Sequence, residues 1–252
     1  MKIATWNVNG IRARSAQLPD FLAREQPDVV CLQEIKASPD QLTFELRDVE
    51  GYWSHWHGGK GYSGVALLIS RSFDADGPEV VHPAFDFEQR ICSATIATPT
   101  GDLTIASIYV PNGGRDFPAK LRFLEALETW AADAQLSGRR LVLCGDLNVA
   151  RTDADIHPKE RRPNQVGARP EERAVFEQML SHDLVDVGRA LDPTNDNLFT
   201  WWAPWRNMKQ RNIGWRIDYV IASSTLAATA RSAVVHREFG TSDHGPLVVE
   251  FA

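Results

Sequence analysis

The sequence predicts an α/β fold in which β-sheets carry helices on one face and pack against a second sheet on the other. Short apolar, β-branched runs recur along all 252 residues, each bounded by Gly, Pro, Asn or Asp. Such runs read as strands rather than helices. Some alternate, as Leu103, Ile105, Ser107 and Tyr109 do against their neighbours, and others are apolar almost throughout. Alternation marks a sheet with unlike faces; unbroken apolarity marks one covered on both.

In chain order the strand runs are KIATWNV (2–8), DVVCLQE (28–34), SGVALLIS (63–70), ICSATIA (91–97), LTIASIYV (103–110), RLVLCGD (140–146), IDYVIAS (217–223), SAVVHRE (232–238) and PLVVEF (246–251). Helical patterns are fewer. Asp116 can cap a segment in which Phe117, Leu121, Leu124, Ala131 and Ala134 share a face, closing near Gly138. A second helix begins around Pro170, with Glu171 and Glu172 in its first turn and Ala174, Phe176 and Leu180 along it. Residues 17–24 and 39–46 are shorter candidates. The polar stretch 151–167 has no periodicity, and a loop that long inside a domain is usually functional. No linker, repeat or low-complexity tract divides the chain, so one domain over 1–252 is expected.

The net charge of −6 excludes a protein that holds nucleic acid by a global positive field; a DNA partner needs a local basic strip. Cys31, Cys92 and Cys144 each sit in an apolar run, without a CxxC pair. They read as buried thiols in a reducing compartment, not as a disulfide framework or a zinc site. The start MKIATWNVNG lacks a signal-peptide pattern, and no apolar run reaches the ~20 residues of a membrane helix. A cytoplasmic protein with no membrane partner is expected.

The chemistry lies where the acids and amides fall. Glu34 follows DVVCLQ, Asp146 follows RLVLCG, Asp218 opens DYVIAS, and Asp243-His244 precedes PLVVEF. An acid at the end of a buried strand is unfavourable unless it is paired, hydrogen-bonded or bound to a cation. Any one of them alone is an ordinary turn or cap carboxylate. Four, in the company of Asn7, Asn148 and His244, read as a site. Oxygen donors without cysteine suit Mg²⁺ or Mn²⁺. The endings Trp6-Asn7-Val8-Asn9-Gly10 and Gly145-Asp146-Leu147-Asn148-Val149 also echo each other, as two similar halves of a sandwich meeting at one rim would.

The motifs WNVNG, LQEIK, GYSGVALL, YVPN, GDLN, GWRIDY and SDHGP, spanning residues 6–246, resemble in kind and order those of the exonuclease III branch of abasic-site endonucleases. That branch belongs to the endonuclease/exonuclease/phosphatase superfamily, whose fold is a four-layer α/β sandwich of two packed mixed sheets flanked by helices. The resemblance implies a Mg²⁺-dependent phosphodiesterase acting as a monomer on double-stranded DNA. It would cut immediately 5′ to abasic sites, leaving a 3′-hydroxyl, with 3′→5′ exonuclease and 3′-end trimming activity. Other branches, such as inositol-phosphate 5-phosphatases and deoxyribonuclease I-like nucleases, would share the metal core; LQEIK, YVPN with Tyr109, and GWRIDY favour the DNA-repair branch. A non-catalytic binding descendant should have lost one of Glu34, Asp146, Asn148 or His244.

The roles implied are as follows. Glu34 resembles the principal metal ligand, with Asn7 and Asn9 beside it and Asp243 on the same side. Asp146 resembles the group that aligns or deprotonates the attacking water, and Asn148 positions it. Tyr109 resembles the active-site phenol, as phenolate nucleophile or transition-state stabiliser. His244 resembles the donor to a phosphate oxygen, held by Asp218. Trp201 and Trp215 match the walls of a pocket for an extruded abasic deoxyribose, and Tyr62, Asn112 and Arg115 match DNA contacts, with Arg12 and Lys60 as further phosphate contacts. The run 201–216 carries Arg206, Lys209, Arg211 and Arg216 among four tryptophans and no acid, which suits a phosphate backbone. In the loop 151–167, Arg162 and Gln165 stand where related enzymes often have asparagines.

Overall fold

Alternation along the strands decides which residues meet in the fold, a computed structural model that describes residues 1–59 and 61–252. Lys60 lies outside the described residues. The first sheet contains β1 (Lys2–Asn7), β2 (Val29–Gln33), β3 (Tyr52–His57), β4 (Val65–Ser70), β11 (Ala230–Val235) and β12 (Leu247–Phe251), in the order β11-β12-β1-β2-β4-β3. The second contains β5 (Val80–Val81), β6 (Ile91–Thr98), β7 (Gly101–Tyr109), β8 (Arg140–Asp146), β9 (Leu184–Asp186) and β10 (Asp218–Ser223), in the order β5-β6-β7-β8-β10-β9. Each sheet is mixed: β1 pairs parallel with β2 and β7 with β8, while their other neighbours are antiparallel. A parallel pair needs a crossover. The helices α1 (Gln17–Glu25) and α3 (Phe117–Leu136) supply the two.

Ile3, Val29, Cys31, Val65 and Leu67 of the first sheet face Cys92, Ile105, Val142, Cys144 and Val220 of the second, forming the inter-sheet core. One residue along, Ala4, Trp6, Val30, Leu32 and Leu68 point outward and pack under Leu18, Phe21 and Leu22 of α1. On the opposite side Ala106, Ile108, Leu141, Leu143 and Ile221 pack under Phe123, Leu124 and Leu127 of α3 and under Phe176 and Met179 of α4 (Pro170–Leu180). The result is four layers, helix–sheet–sheet–helix. Each fully buried aliphatic or aromatic side chain in these layers contributes about 1.5–3 kcal/mol.

Asp116 caps α3 as its sequence implies, accepting the Ala119 N–H at 2.9 Å, and the helix ends just before Gly138, whose φ is +67°. The three cysteines are buried and unpaired. Among the described residues no helix is long and apolar enough to cross a membrane. The candidate helix at 39–46 is instead a 3₁₀ turn, Pro39–Gln41, and a single helical turn, α2 (Phe44–Arg47). Leu42 and Thr43 between them are extended, so the two turns cannot merge. The remaining helices, α5 (Val187–Leu191) and α6 (Ser224–Ala227), are short connectors.

Candidate active site

The C-terminal ends of both parallel pairs open on one rim. In the inter-sheet layer, the period-two alternation that buries Ile3, Ile105, Val142 and Val220 continues into polar residues toward that end. Thr5, Gln33 and Ser107 come first, linking the sheets: the Thr5 hydroxyl donates to Gln33 Oε1 at 3.2 Å, Gln33 Nε2 to Ser107 Oγ at 3.2 Å, and Ser107 Oγ to the Leu32 carbonyl at 3.0 Å. Beyond them lie Asn7 on β1 and a row across three adjacent strands, Tyr109, Asp146 and Asp218, fixed by the register of β7, β8 and β10. Acids at the C-terminal edge of parallel strands sit where α/β sheets usually bind ligands.

The loops leaving the strands turn sharply. Asn9, Glu34, Lys36 and Asn148 have φ between +44° and +52°, a region that stores on the order of 1–3 kcal/mol of strain in a non-glycine residue and clusters at functional sites. Gly145 is required for a different reason: a Cβ there would lie 1.9 Å from the Ile108 carbonyl oxygen of β7. No side chain fits one position before Asp146.

Two hydrogen-bonded chains then define the site. In the first, Asn7 Nδ2 donates to both Glu34 Oε1 (3.1 Å) and Asp146 Oδ2 (2.9 Å), while its Oδ1 accepts the Asn9 N–H at 3.0 Å. Asp146 Oδ1 accepts the Asn148 N–H at 2.9 Å. His244 Nε2 lies 3.9 Å from Asp146 Oδ2, and its Nδ1 lies 2.9 Å from Asp218 Oδ2. In the second, Lys36 Nζ bridges Glu34 Oε2 (2.8 Å) and Asn9 Oδ1 (2.7 Å). Asn9 Nδ2 then donates to Asp243 Oδ1 at 2.8 Å, and Trp201 Nε1 to Asp243 Oδ2 at 3.0 Å. Tyr109 and Glu34 line the same cavity.

The charges do not balance. Four carboxylates (Glu34, Asp146, Asp218, Asp243) share the rim with two cations, Lys36 and His244. Burial, reinforced by the charges of Asp218 and then Glu34, lifts Asp146 to about 8. Burial alone would lower His244, but Asp218 overrides it and raises the imidazole to about 10. For Glu34, burial is outweighed by the hydrogen bond from Lys36 and the His244 charge, so its pKa falls. Burial, then Glu34 and Asp146, drive the Tyr109 phenol upward. A divalent cation would relieve this excess of negative charge, and an all-oxygen donor set fits a hard one. Asp146, Asp218 and His244 also form a compact trio that meets the distance requirement for a metal site. Both His244 nitrogens face carboxylates, however, and a protonated imidazole is a donor, not a ligand, which disfavours an ion within that trio.

A cavity of about 470 Å³ opens from this rim, lined by Glu34, Tyr109, Asp146 and His244 at its floor and by Trp201, Trp215, Val166, Gly167 and Gln165 at its walls. Trp201 and Trp215 meet edge to face at 6.3 Å. Asn112 reaches Asn148 Oδ1 at 3.2 Å, and Arg115 is exposed on the same loop. Tyr62 is exposed, its hydroxyl accepting from Arg90 at 2.9 Å. Arg12 is exposed. Gln165 joins the wall, whereas Arg162 is exposed outside it.

The basic run 201–216 divides. Arg206 and Arg211 are exposed, and Lys209 donates to the Ser242 carbonyl at 2.9 Å beside the Asp243-His244 loop. Arg216 is not a phosphate contact. It is buried, forked onto Asp186 at 2.8 and 2.7 Å and bonded to Asp155 at 2.7 Å. Trp202 belongs to a small core with Phe199, Met208 and Ile213. Three residues escaped the sequence reading: Lys36; Arg90, whose guanidinium lies 4.8 Å over the Tyr109 ring; and the buried Lys120, which donates to the Asn148 carbonyl at 2.6 Å and pairs with buried Glu172. Lys36 stands in LQEIK itself and was within reach; nothing local marks the others.

Comparison with known proteins agrees with this geometry. The model of the endonuclease/exonuclease/phosphatase family matches residues 4–244. The chain is 31% identical to exodeoxyribonuclease III of Haemophilus influenzae, with all of both chains covered. Among solved structures it is similar to the 3′–5′ exonuclease NExo from Neisseria meningitidis (32% identity, TM-score 0.88, covering 100% of this chain and 99% of that one). It is also similar to an AP endonuclease from Archaeoglobus fulgidus (29% identity, TM-score 0.87, covering 100% and 99%). With the two six-stranded sheets, the carboxylate rim and these matches together, the chain belongs to the endonuclease/exonuclease/phosphatase family, in its exonuclease III and AP endonuclease branch.

Proposed function

We propose that the chain is a Mg²⁺-dependent DNA repair phosphodiesterase that hydrolyses the bond 5′ to abasic sites in duplex DNA and also removes nucleotides or blocking groups from 3′ ends. The observation that carries this reading is the pairing of a carboxylate rim with a tryptophan-walled cavity at the same opening. A cavity with two tryptophan walls beside the carboxylates accommodates a baseless sugar next to the phosphate to be cut. The relatives named above, an exodeoxyribonuclease, a 3′–5′ exonuclease and an AP endonuclease, support both activities.

In-line attack on a phosphodiester builds charge on the equatorial oxygens and on the leaving 3′ oxygen. When bound, Mg²⁺ supplies Lewis-acid stabilisation of that charge. Glu34 is the principal residue to hold it, with Asp243 and, by rotation of its amide, Asn7. Asp146 orients the attacking water and takes its proton, with Asn148 fixing the carboxylate through its backbone N–H. His244, kept as imidazolium by Asp218, donates to a phosphate oxygen. Tyr109 donates from its phenol, which burial keeps protonated. Trp201 and Trp215 enclose the sugar, and Asn9, Tyr62, Asn112 and Arg115 contact the flanking DNA. We take residues 1–252 as one catalytic domain acting as a monomer in the cytoplasm.

Purified protein assayed on duplexes with an abasic analogue, a recessed 3′ end or undamaged sequence tests the reading. Cutting of the first two with Mg²⁺, abolished by chelator, is expected. Equal cutting with chelator, or preference for a phosphoinositide, would overturn it.

A further inference from the structure

β3 is the last strand of the first sheet and β5 the last of the second, and three histidines meet between these two open edges. His55 and His57 share a face of β3, two residues apart, and His82 follows β5. His55 Nε2 and His82 Nε2 lie 3.0 Å apart. The His57 ring stacks on His82 with centroids 3.8 Å apart and planes 13° apart. His57 is itself held by Asp86, whose Oδ2 lies 2.7 Å from its Nε2. The other Asp86 oxygen accepts the N–H groups of Arg90 and Ile91 at 2.8 and 3.1 Å.

Two imidazole nitrogens facing each other at this distance can share only one hydrogen, so at least one presents a lone pair. With metal–nitrogen bonds of about 2.0–2.1 Å, a 3.0 Å separation subtends roughly 95°, the angle between adjacent positions of a square-planar or octahedral ion. Nitrogen donors select late first-row ions over Mg²⁺.

We propose that His55 and His82 form a second metal site, for Cu²⁺ or Ni²⁺, that fastens the open edges of the two sheets, with His57 as the positioning residue that fixes the plane of His82. The site is distinct from the carboxylate rim in donor chemistry and in position. It spans β3 and the segment after β5, and so ties the first sheet to the stretch that carries Asp86 and Arg90.

The test is a calorimetric titration with Ni²⁺ in excess Mg²⁺, which keeps the carboxylate rim filled. One ion per chain is expected, with the thermal midpoint rising on the order of 5–10 °C at a hundred-fold excess over Kd. His82 is exposed, so His82→Ala should fold and keep Mg²⁺-dependent nuclease activity while binding Ni²⁺ at least ~10-fold more weakly; His55→Ala should bind as weakly. With Cu²⁺, electron paramagnetic resonance should show coupling to two nitrogens, reduced in either variant. Equal binding and equal thermal shift in wild type and His82→Ala would overturn the proposal, as would a Cu²⁺ spectrum without coupling to two nitrogens.

Discussion

Asp146 and His244 face each other across 3.9 Å, and burial with the Asp218 charge sets the protonation behaviour of the first, while the Asp218 charge sets that of the second against burial. Asp146→Asn keeps the shape and an acceptor for Asn7 but removes the proton-transfer group. We expect turnover to fall by at least ~10²-fold with DNA affinity retained, measured by single-turnover incision beside a binding titration; wild-type turnover would mean the base lies elsewhere. His244 rises from the ordinary 6.5 to about 10. A raised folded pKa gives stability that is complete below the unfolded value and lost as pH climbs through about 10. The imidazolium is thus present at neutral pH, and its loss should give an alkaline limb near 10. Asp218→Asn removes the charge that sustains it, so that limb should shift toward neutrality by about one unit or more; a pH–rate profile with an unmoved limb would exclude the pairing. Asp146 titrates near 8 without a cation, so metal and proton compete. The Glu34 charge helps to raise Asp146, so an ion held by Glu34 favours the Asp146 carboxylate: apparent Mg²⁺ affinity should rise as pH increases toward 8, and a pH-independent affinity would mean that the ion does not sit at Glu34.

At the scale of elements, the buried Lys120–Glu172 pair joins α3 to α4 and to the loop that carries Asn148. Lys120 donates to the Asn148 carbonyl, and Glu172 Oε1 accepts the N–H groups of Gly167 and Arg169 at 2.6 and 2.8 Å. Removing one partner leaves a buried charge, so Lys120→Met should destabilise the fold by about 3–5 kcal/mol. It should also lower kcat through Asn148, readable by denaturant melts beside kinetics. Substituting both partners with apolar residues should recover much of the stability. The strands the sequence reveals are those with β-branched apolar runs. The aromatic and histidine-rich β3 (YWSHWH) and the short β5 and β9 were not legible, because an edge strand needs no apolar run to pair. Glu34, Asp146, Asp218 and His244 were readable because buried strands end on them. Arg216 was misread because its partners, Asp155 and Asp186, are 61 and 30 residues away, and sequence does not say whether a cation is already paired. Arg90 and Lys120 were invisible for the same reason.

At the scale of the molecule, the site exists only because two sheets meet in a fixed relation: Asn7 and Glu34 come from one, Tyr109, Asp146 and Asp218 from the other. The Thr5–Gln33–Ser107 bonds hold that relation directly beneath the rim. Ser107→Ala strands the buried Gln33 amide, at a loss of about 1–3 kcal/mol, and by loosening the sheets should reduce kcat more than it raises KM. An unchanged kcat would mean the sheets are aligned by their apolar core alone. The central claim, that one phosphate is gripped between Glu34's cation and the Asp146–His244 pair, is tested most directly by a crystal of the protein with Mn²⁺ and a duplex carrying an abasic analogue. The anomalous signal should fall beside Glu34, with the sugar between Trp201 and Trp215. A signal among Asp146, Asp218 and His244, or DNA bound away from the cavity, would contradict it.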